Sequence, residues 1–156
     1  MRADVEDLVD PEVLAMTRRA HDGQVDRQGR NYYHSHLLPI ARLLLPYGVD
    51  AATAGLLHDV VEDTALTLDD LVEAGVGAAV VRAVGSVTRR ADESYDELVG
   101  RACADPLGRL VKLADNWHNL TGLDDLAVVD PATAARLRVR YLRARERLSA
   151  AVLTAP

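Results

Sequence analysis

Residues 56–64 read LLHDVVEDT, and the reading of this stretch decides the fold class. Four ionisable side chains, His58, Asp59, Glu62 and Asp63, stand among Leu56, Leu57, Val60 and Val61. Residues four apart share a helix face, so a helix over 51–63 aligns His58 with Glu62 and Asp59 with Asp63. The two stripes lie about 100° apart. Leucine and valine fill much of the remaining circumference, so the helix is expected to be buried nearly all round. Burying a polar group without a partner costs roughly 2–7 kcal/mol, and a charge costs more. Such a helix needs a compensating cation. A divalent metal supplies one and also accepts imidazole and carboxylate ligands. The bland alternative is a polar stripe facing solvent.

Outward from this stretch, the chain is punctuated by helix starts. Asp10-Pro11, Asp105-Pro106 and Asp130-Pro131 each pair a good N-cap with a residue suited to the first helical position. Asp50 before AATAGLLHDVVED and Thr67 before LDDLVEAG give two more, the second with Asp70 placed for a capping box. Helices are expected near 11–22, 36–45, 51–63, 68–74, 77–89, 94–104, 106–119 and 131–153. Pro46-Tyr47-Gly48 and Gly75-Val76-Gly77 break the chain between them. No segment alternates with period two between hairpin turns. The expected fold is all-α, a single domain over 1–156 built from about eight helices.

Composition narrows the function. The 156 residues suffice for one hydrophobic core, and 49% hydrophobic with 27% charged content is that of an ordinary globular protein. The single cysteine, Cys103, excludes an internal disulfide framework and a cysteine-based zinc finger. A net charge of −6 argues against a nucleic-acid partner, whose binding is driven by phosphate neutralisation. It leaves room for a small anionic ligand in a local cationic pocket. The acidic start MRADVEDLVD has no apolar signal region, and no apolar run has the length of a membrane span, so a cytoplasmic location without membrane contact is expected. Of 18 basic residues only Lys112 is lysine, a bias that weakens any argument from arginine abundance alone.

The remaining histidines sit in similar company. YYHSHLLPIA (32–41) offers His34 and His36 at the start of an apolar helix, and spacing alone would admit either as a ligand. LVKLADNWHNL (110–120) offers Asp115, with His118 and Asn119 three and four residues on and on the same side. His21 reads as a structural group at the end of the first helix.

Together these motifs resemble the HD-domain metal phosphohydrolases, and most of all the RelA/SpoT-type hydrolase domains and stand-alone small alarmone hydrolases. The resemblance covers roughly residues 14–123. It rests on AHDGQ (20–24), HSHLLPIA (34–41), GLLHDVVEDT (55–64), SVTRR (86–90) and KLADNWHN (112–119). It implies a helical HD-domain bundle with His36, His58, Asp59 and Asp115 as metal ligands and Mn²⁺ as the metal. His36 rather than His34 is implied because the family ligand stands five residues before an alanine, here Ala41. Glu62 and Asp63 are implied to orient and deprotonate the attacking water, and His118 to hold a ligand rather than be one. The implied reaction is hydrolysis of the 3′-pyrophosphate of ppGpp or pppGpp, giving GDP or GTP and pyrophosphate.

The nucleotide contacts depart from the family pattern. Where the family has GQxRxSGxxY, this chain has GQVDRQGRNYYHSH, one residue longer up to the histidine. If the extra residue falls after Gly29, Asp26 takes the family arginine's place and Arg27 that of the lysine after it. If it falls before Arg27, that residue is the family arginine. Arg27 is the expected substrate contact either way, with Arg30, Lys112 and Asn119 beside it. The family's Asn-Met-Arg-Thr becomes Asn119-Leu120-Thr121-Gly122. Arg89 and Arg90 are expected to end a helix, where positive charge suits the macrodipole. Arg136, Arg140, Arg143 and Arg147 form a stripe on the last helix that reads as its solvated back, with polyphosphate binding or a homo-oligomer as the alternative. With the last residue at Pro156, no synthetase domain is expected to follow. Three rival functions stand beside the alarmone hydrolase: an HD phosphohydrolase of other nucleotides such as a 5′-nucleotidase, a nucleotide sensor that no longer cuts, and a module whose metal only holds helices together.

Overall fold

Helices begin where the sequence places its caps. In the computed structural model, which describes residues 3–154 and side chains as far as residue 151, Asp10, Asp105 and Asp130 accept the backbone N–H of Glu12, Gly108 and Thr133. Thr67 and Asp70 form the expected capping box, and Ser94 and Glu97 form another. The helices are α1 Val5–Leu8, α2 Pro11–Ala20, α3 Leu38–Leu44, α4 Val49–Leu57, α5 Val60–Asp63 and α6 Leu68–Glu73. They continue with α7 Ala78–Val87, α8 Tyr95–Ala104, α9 Pro106–Thr121, α10 Leu123–Val129 and α11 Pro131–Thr154. A π-helical turn over Tyr33–Leu37 leads into α3, and a 3₁₀ turn over Leu45–Tyr47 leaves it. Among the described residues there is no strand, only an isolated bridge between Val25 and Asn31. The all-α expectation holds. None of the described helices is long and apolar enough to cross a membrane.

Several boundaries differ from expectation. The helix expected over 51–63 is two helices, α4 and α5, broken at His58-Asp59. Gly48, at φ +114°, precedes α4, so Asp50 lies in the first turn instead of capping it. The helix expected at 36–45 begins earlier, in the π-turn. α7 ends at Val87, which leaves Arg89 and Arg90 in the following loop and not at a helix terminus. α1 and α10 are short helices that the hydrophobic pattern did not mark; each carries two acids in its first turn.

α9 runs through the middle, touching α3, α4, α7, α8, α10 and α11. Around it the core closes on Leu37, Ile40, Leu56, Leu57, Leu71, Val84, Val99 and Leu148, all essentially inaccessible to solvent. Two glycines let helices approach closely. A Cβ on Gly55 of α4 would stand 2.6 Å from Cδ1 of Leu44, and one on Gly108 of α9 would stand 1.9 Å from Oγ of Ser86 on α7. That hydroxyl donates to the carbonyl of Ala83, so turning it away forfeits a hydrogen bond. Alanine favours a helix interior by about 1 kcal/mol over glycine, but overpacking costs about 1–3 kcal/mol. Gly108→Ala is therefore expected to lower the urea midpoint, and a second change, Ser86→Ala, to recover most of the loss. An unchanged midpoint in the single variant would show that α7 and α9 separate freely.

Candidate metal centre and the cavity beside it

The break in the central helix sets the site. Neighbouring side chains on a continuous helix point about 100° apart. At Asp59 the backbone leaves ideal helix geometry, with φ −100° and ψ −2°. His58 Nε2 and Asp59 Oδ2 consequently meet at 3.0 Å. The other ring nitrogen of His58, Nδ1, lies 2.6 Å from the carbonyl oxygen of Gly55. A carbonyl only accepts, so Nδ1 carries a proton, and Nε2 is the ring nitrogen turned inward to the cluster.

Two further elements bring donors to the same point. His36, from the π-turn, places Nε2 3.3 Å from His58 Nε2 and 3.4 Å from Asp59 Oδ2. Asp115, from the middle of α9, places Oδ1 3.5 Å from His36 Nε2 and 3.7 Å from His58 Nε2. One donor atom each from His36, His58 and Asp115 all lie within 4.8 Å of one another. All four residues that the resemblance implies as ligands are thus neighbours.

The electrostatics of this cluster ask for a cation. Burial opposes charge on His58 and His36, yet the Asp59 and Asp115 carboxylates raise both imidazoles above their ordinary value, His58 strongly. Burial pushes the two carboxyls up, but His58 and Lys112 beside them hold Asp59 and Asp115 below the usual carboxylate range. Two imidazole nitrogens and two carboxylates turned on one point form a donor set that suits a mid-series divalent ion.

A ring of partners holds these donors. The phenol of Tyr32 donates to Asp59 Oδ2 at 2.6 Å and its ring stacks on His36, centroids 4.9 Å apart. Burial and the Asp59 charge keep that phenol protonated. Nδ1 of His118 lies 3.2 Å from Nδ1 of His36, and burial followed by the His36 charge lowers its pKa, so a neutral His118 can accept the His36 proton. Asn119 Nδ2 donates to Asp115 Oδ1 at 2.8 Å. Lys112 Nζ donates to Asp115 Oδ2 at 3.0 Å. Lys112 was expected as a substrate contact. Its ammonium is buried against the carboxylate and the Tyr95 ring, and it is not among the residues lining the cavity described below.

Tyr32 is the residue that sequence reasoning missed, although it closes the GQxRxSGxxY pattern. Tyr32→Phe keeps the stack and removes the donor. It is expected to weaken divalent-ion binding by about 10–100-fold, the usual loss for a partner that orients a ligand. A calorimetric titration reads this directly, and unaltered affinity would remove Tyr32 from the site.

Beside the donors opens a cavity of about 820 Å³. His36, His118 and Asn119 line it on one side, Arg27 and Arg30 come from the 25–31 loop, and Leu123, Leu126, Val128 and Leu137 form an apolar wall. Gln28 Nε2 donates to Asp125 Oδ2 at 3.0 Å, linking the loop to α10 across the cavity. Arg30 pairs with Asp26 at 2.8 Å, and both Arg27 and Arg30 are exposed. Glu62 and Asp63, on α5, are exposed carboxylates. Glu62 accepts the backbone N–H of Arg89, and Asp63 accepts Gln24 Nε2 at 3.3 Å. His34 is exposed and edge-on to Tyr33, and His21 is buried with Nδ1 2.6 Å from Gln24 Oε1.

The chain is similar to several known proteins. The GTP pyrophosphokinase of Streptomyces coelicolor is 35% identical over 116 residues, covering 67% of this chain and 14% of that protein. The bifunctional (p)ppGpp synthase/hydrolase SpoT of Escherichia coli is 32% identical over 124 residues, covering 71% of this chain and 17% of that protein. The chain therefore spans less than about one fifth of the length of these curated relatives. A solved structure described as a metazoan ortholog of SpoT that hydrolyzes ppGpp shares the fold, with a TM-score of 0.65 over 90% of this chain and 91% of that one at 24% identity. The HD domain family matches residues 14–151. With its histidine-aspartate pair set in the break between α4 and α5, the chain belongs to the HD-domain family.

Proposed function

We propose that the protein is a metal-dependent hydrolase that removes the 3′-pyrophosphate of ppGpp or pppGpp, with residues 1–156 acting as one hydrolase domain. The observation that carries the reading is the convergence of His36, His58, Asp59 and Asp115 at the edge of a nucleotide-sized cavity. Similarity to proteins named for ppGpp 3′-pyrophosphohydrolysis supports the substrate. Those four side chains would hold the ion, with Mn²⁺ as the proposed metal. Such an ion, when bound, supplies Lewis-acid polarisation of a phosphoryl oxygen and acidifies water.

The chain's own groups do the rest. Glu62, fixed through one carboxylate oxygen by Arg89 N–H, offers the other to take a proton from the attacking water. Asp63, tied to Gln24, orients that water from the same turn. The water oxygen joins the phosphorus next to the ribose, the bond from that phosphorus to O3′ breaks, and O3′ leaves with a proton. GDP or GTP and pyrophosphate result. Arg27 and Arg30 meet the phosphates, Asn119 approaches the nucleotide beside Asp115, and the apolar wall takes the base.

One observation favours a second reading, an HD phosphohydrolase of other nucleotides. Gly29 sits at φ +77° in a tight turn where Asp26 accepts its N–H through the backbone carbonyl. This keeps GQxRxSGxxY in register from Gly23 to Tyr32. The extra residue then falls between Tyr32 and His36, where the π-turn holds one residue more per turn than an α-helix. In this register Asp26 stands where the family has arginine, which alters recognition of the base. Incubation with Mn²⁺ and a panel of ppGpp, pppGpp and nucleoside monophosphates separates the readings. Pyrophosphate from ppGpp supports the first; phosphate from a monophosphate with ppGpp intact overturns it. Ligand binding without any product would instead identify a sensor.

A further inference from the structure

We infer that Arg101 and Glu93 are positioning residues for Glu62, acting through the backbone amide of Arg89. This rests on the reading of Glu62 as the group that takes the water's proton. Glu62 is exposed on a four-residue helix. A glutamate free to rotate in water loses side-chain entropy when it is fixed, and a hydrogen bond is what holds it here. The hydrogen bond that holds it comes from Arg89, and Arg89 lies in the irregular connection between α7 and α8. A loop amide is a useful anchor only if the loop itself is fixed.

Arg101, one turn before the end of α8, fixes it. Its guanidinium has five N–H groups, and all five are engaged. Nε and one Nη2 hydrogen bind the Glu93 carboxylate as a fork, the latter at 2.8 Å. The other Nη2 hydrogen reaches the Thr88 carbonyl at 2.6 Å, and Nη1 is shared between the carbonyls of Gly85 at 2.9 Å and Ser86 at 3.4 Å. Arg101 therefore satisfies the open carbonyl end of α7 and clamps both ends of the 88–93 segment. Glu93 returns the contact: its Oε2 accepts Arg90 N–H at 2.9 Å, and its backbone carbonyl accepts Arg89 Nε at 3.0 Å. The Glu93 side chain is 8% exposed, unusual for a glutamate in a surface loop. Asp92, at φ +61°, is the only non-glycine residue with positive φ among those described. Such a conformation persists where its surroundings over-determine it. The staple has nothing to do with the ligands of the metal centre; its free end is the amide that grips Glu62.

The test uses Glu93→Gln, which keeps the side-chain volume and weakens the fork, and Arg101→Lys, which keeps the charge and loses the fork geometry. Each is placed in the wild-type and in the Glu62→Gln background, with Mn²⁺ content, ppGpp kinetics and amide hydrogen exchange measured. In the wild-type background kcat for ppGpp is expected to fall about 10–100-fold with KM and metal content unchanged, as a small misplacement of a catalytic group does. The Arg89 amide is expected to exchange at least about 10-fold faster, since its protection follows local opening. In the Glu62→Gln background the same changes are expected to add less than about 2-fold, because residues acting as one unit are not additive. Losses that multiply in both backgrounds would make the staple merely structural and overturn the inference, as would normal kcat in both variants. If Arg101→Lys does not fold, Glu93→Gln carries the decision. Normal turnover in Glu62→Gln alone, or intact ppGpp with the wild type, would instead bring down the reading of the site, while Arg89 exchange still reports whether the staple holds the loop.

Discussion

Asp115→Asn is expected to lower divalent-ion affinity by more than about 100-fold, beyond the usual loss for a partner that only orients a ligand, and to abolish turnover with it. Asp115 does two things at once. Oδ1 faces His36 Nε2 and His58 Nε2, while Oδ2 receives the Lys112 ammonium. An amide fills the same volume but brings no charge to either side. The donor set loses half of its formal negative charge, and Lys112 keeps a buried cation without a counterion. Breaking a buried pair in this way costs about 3–5 kcal/mol. The apoprotein should therefore unfold at lower denaturant concentration than the wild-type apoprotein, even before metal enters the comparison. A second signature follows from mass action. Ion present at a hundred times its dissociation constant stabilises the folded chain by about 2.7 kcal/mol. Adding a chelator should then lower the Tm of the wild type and leave that of the asparagine variant unmoved. Retention of a stoichiometric ion by Asp115→Asn, seen by mass spectrometry of the native protein, would remove α9 from the metal centre.

Glu62→Gln should give the opposite pattern. Its carboxylate is not one of the converging donors, and glutamine can still accept Arg89 N–H through its amide oxygen. Metal content, Tm and KM are all expected to stay at wild-type values. Only the capacity to take a proton is lost, and that is worth about 10²–10⁴ in rate. Losing kcat without KM marks an interaction made only in the transition state. Steady-state kinetics on ppGpp with Mn²⁺ give the answer; a loss in KM alone would place Glu62 in substrate binding, and unchanged kcat would take it out of the chemistry. The two variants are best run together, since one empties the site and the other leaves it filled and idle.

The contrast between what was legible and what was not has physical causes. The Asp-Pro helix starts were visible because capping is local chemistry, written in two adjacent residues. His58 and Asp59 stood out because a histidine and an acid are conspicuous among leucine and valine, whereas the choice of His36 over His34 and the set with Asp115 came from the resemblance, since spacing alone admitted either histidine. The break at His58-Asp59 was not visible. Neither residue is a helix breaker, and the departure at Asp59 is set by partners on α9 and the π-turn, which no local pattern reports. Lys112 drew attention as the only lysine and was read toward phosphate, although Asp115 stands three residues on, within reach on the same face. The π-turn could not be foreseen because its sequence, YHSHL, suits an ordinary helix. α10 was missed because seven residues between Gly122 and Asp130 are too few to show a period.

The walls of the cavity have a consequence for how such a protein can diverge. The donors stand on segments that pack on one another in the interior, so a change there disturbs the whole bundle. The opposite wall comes from the 25–31 loop, α10 and the start of α11, and α10 rests chiefly on α11. Val128 and Val129 there are more than three-quarters open to solvent. Mutations on that side escape the penalty that guards the interior. On the proposed reading, a lineage can thus trade one nucleotide for another by drift at its margin while the chemistry at the donors is inherited unchanged.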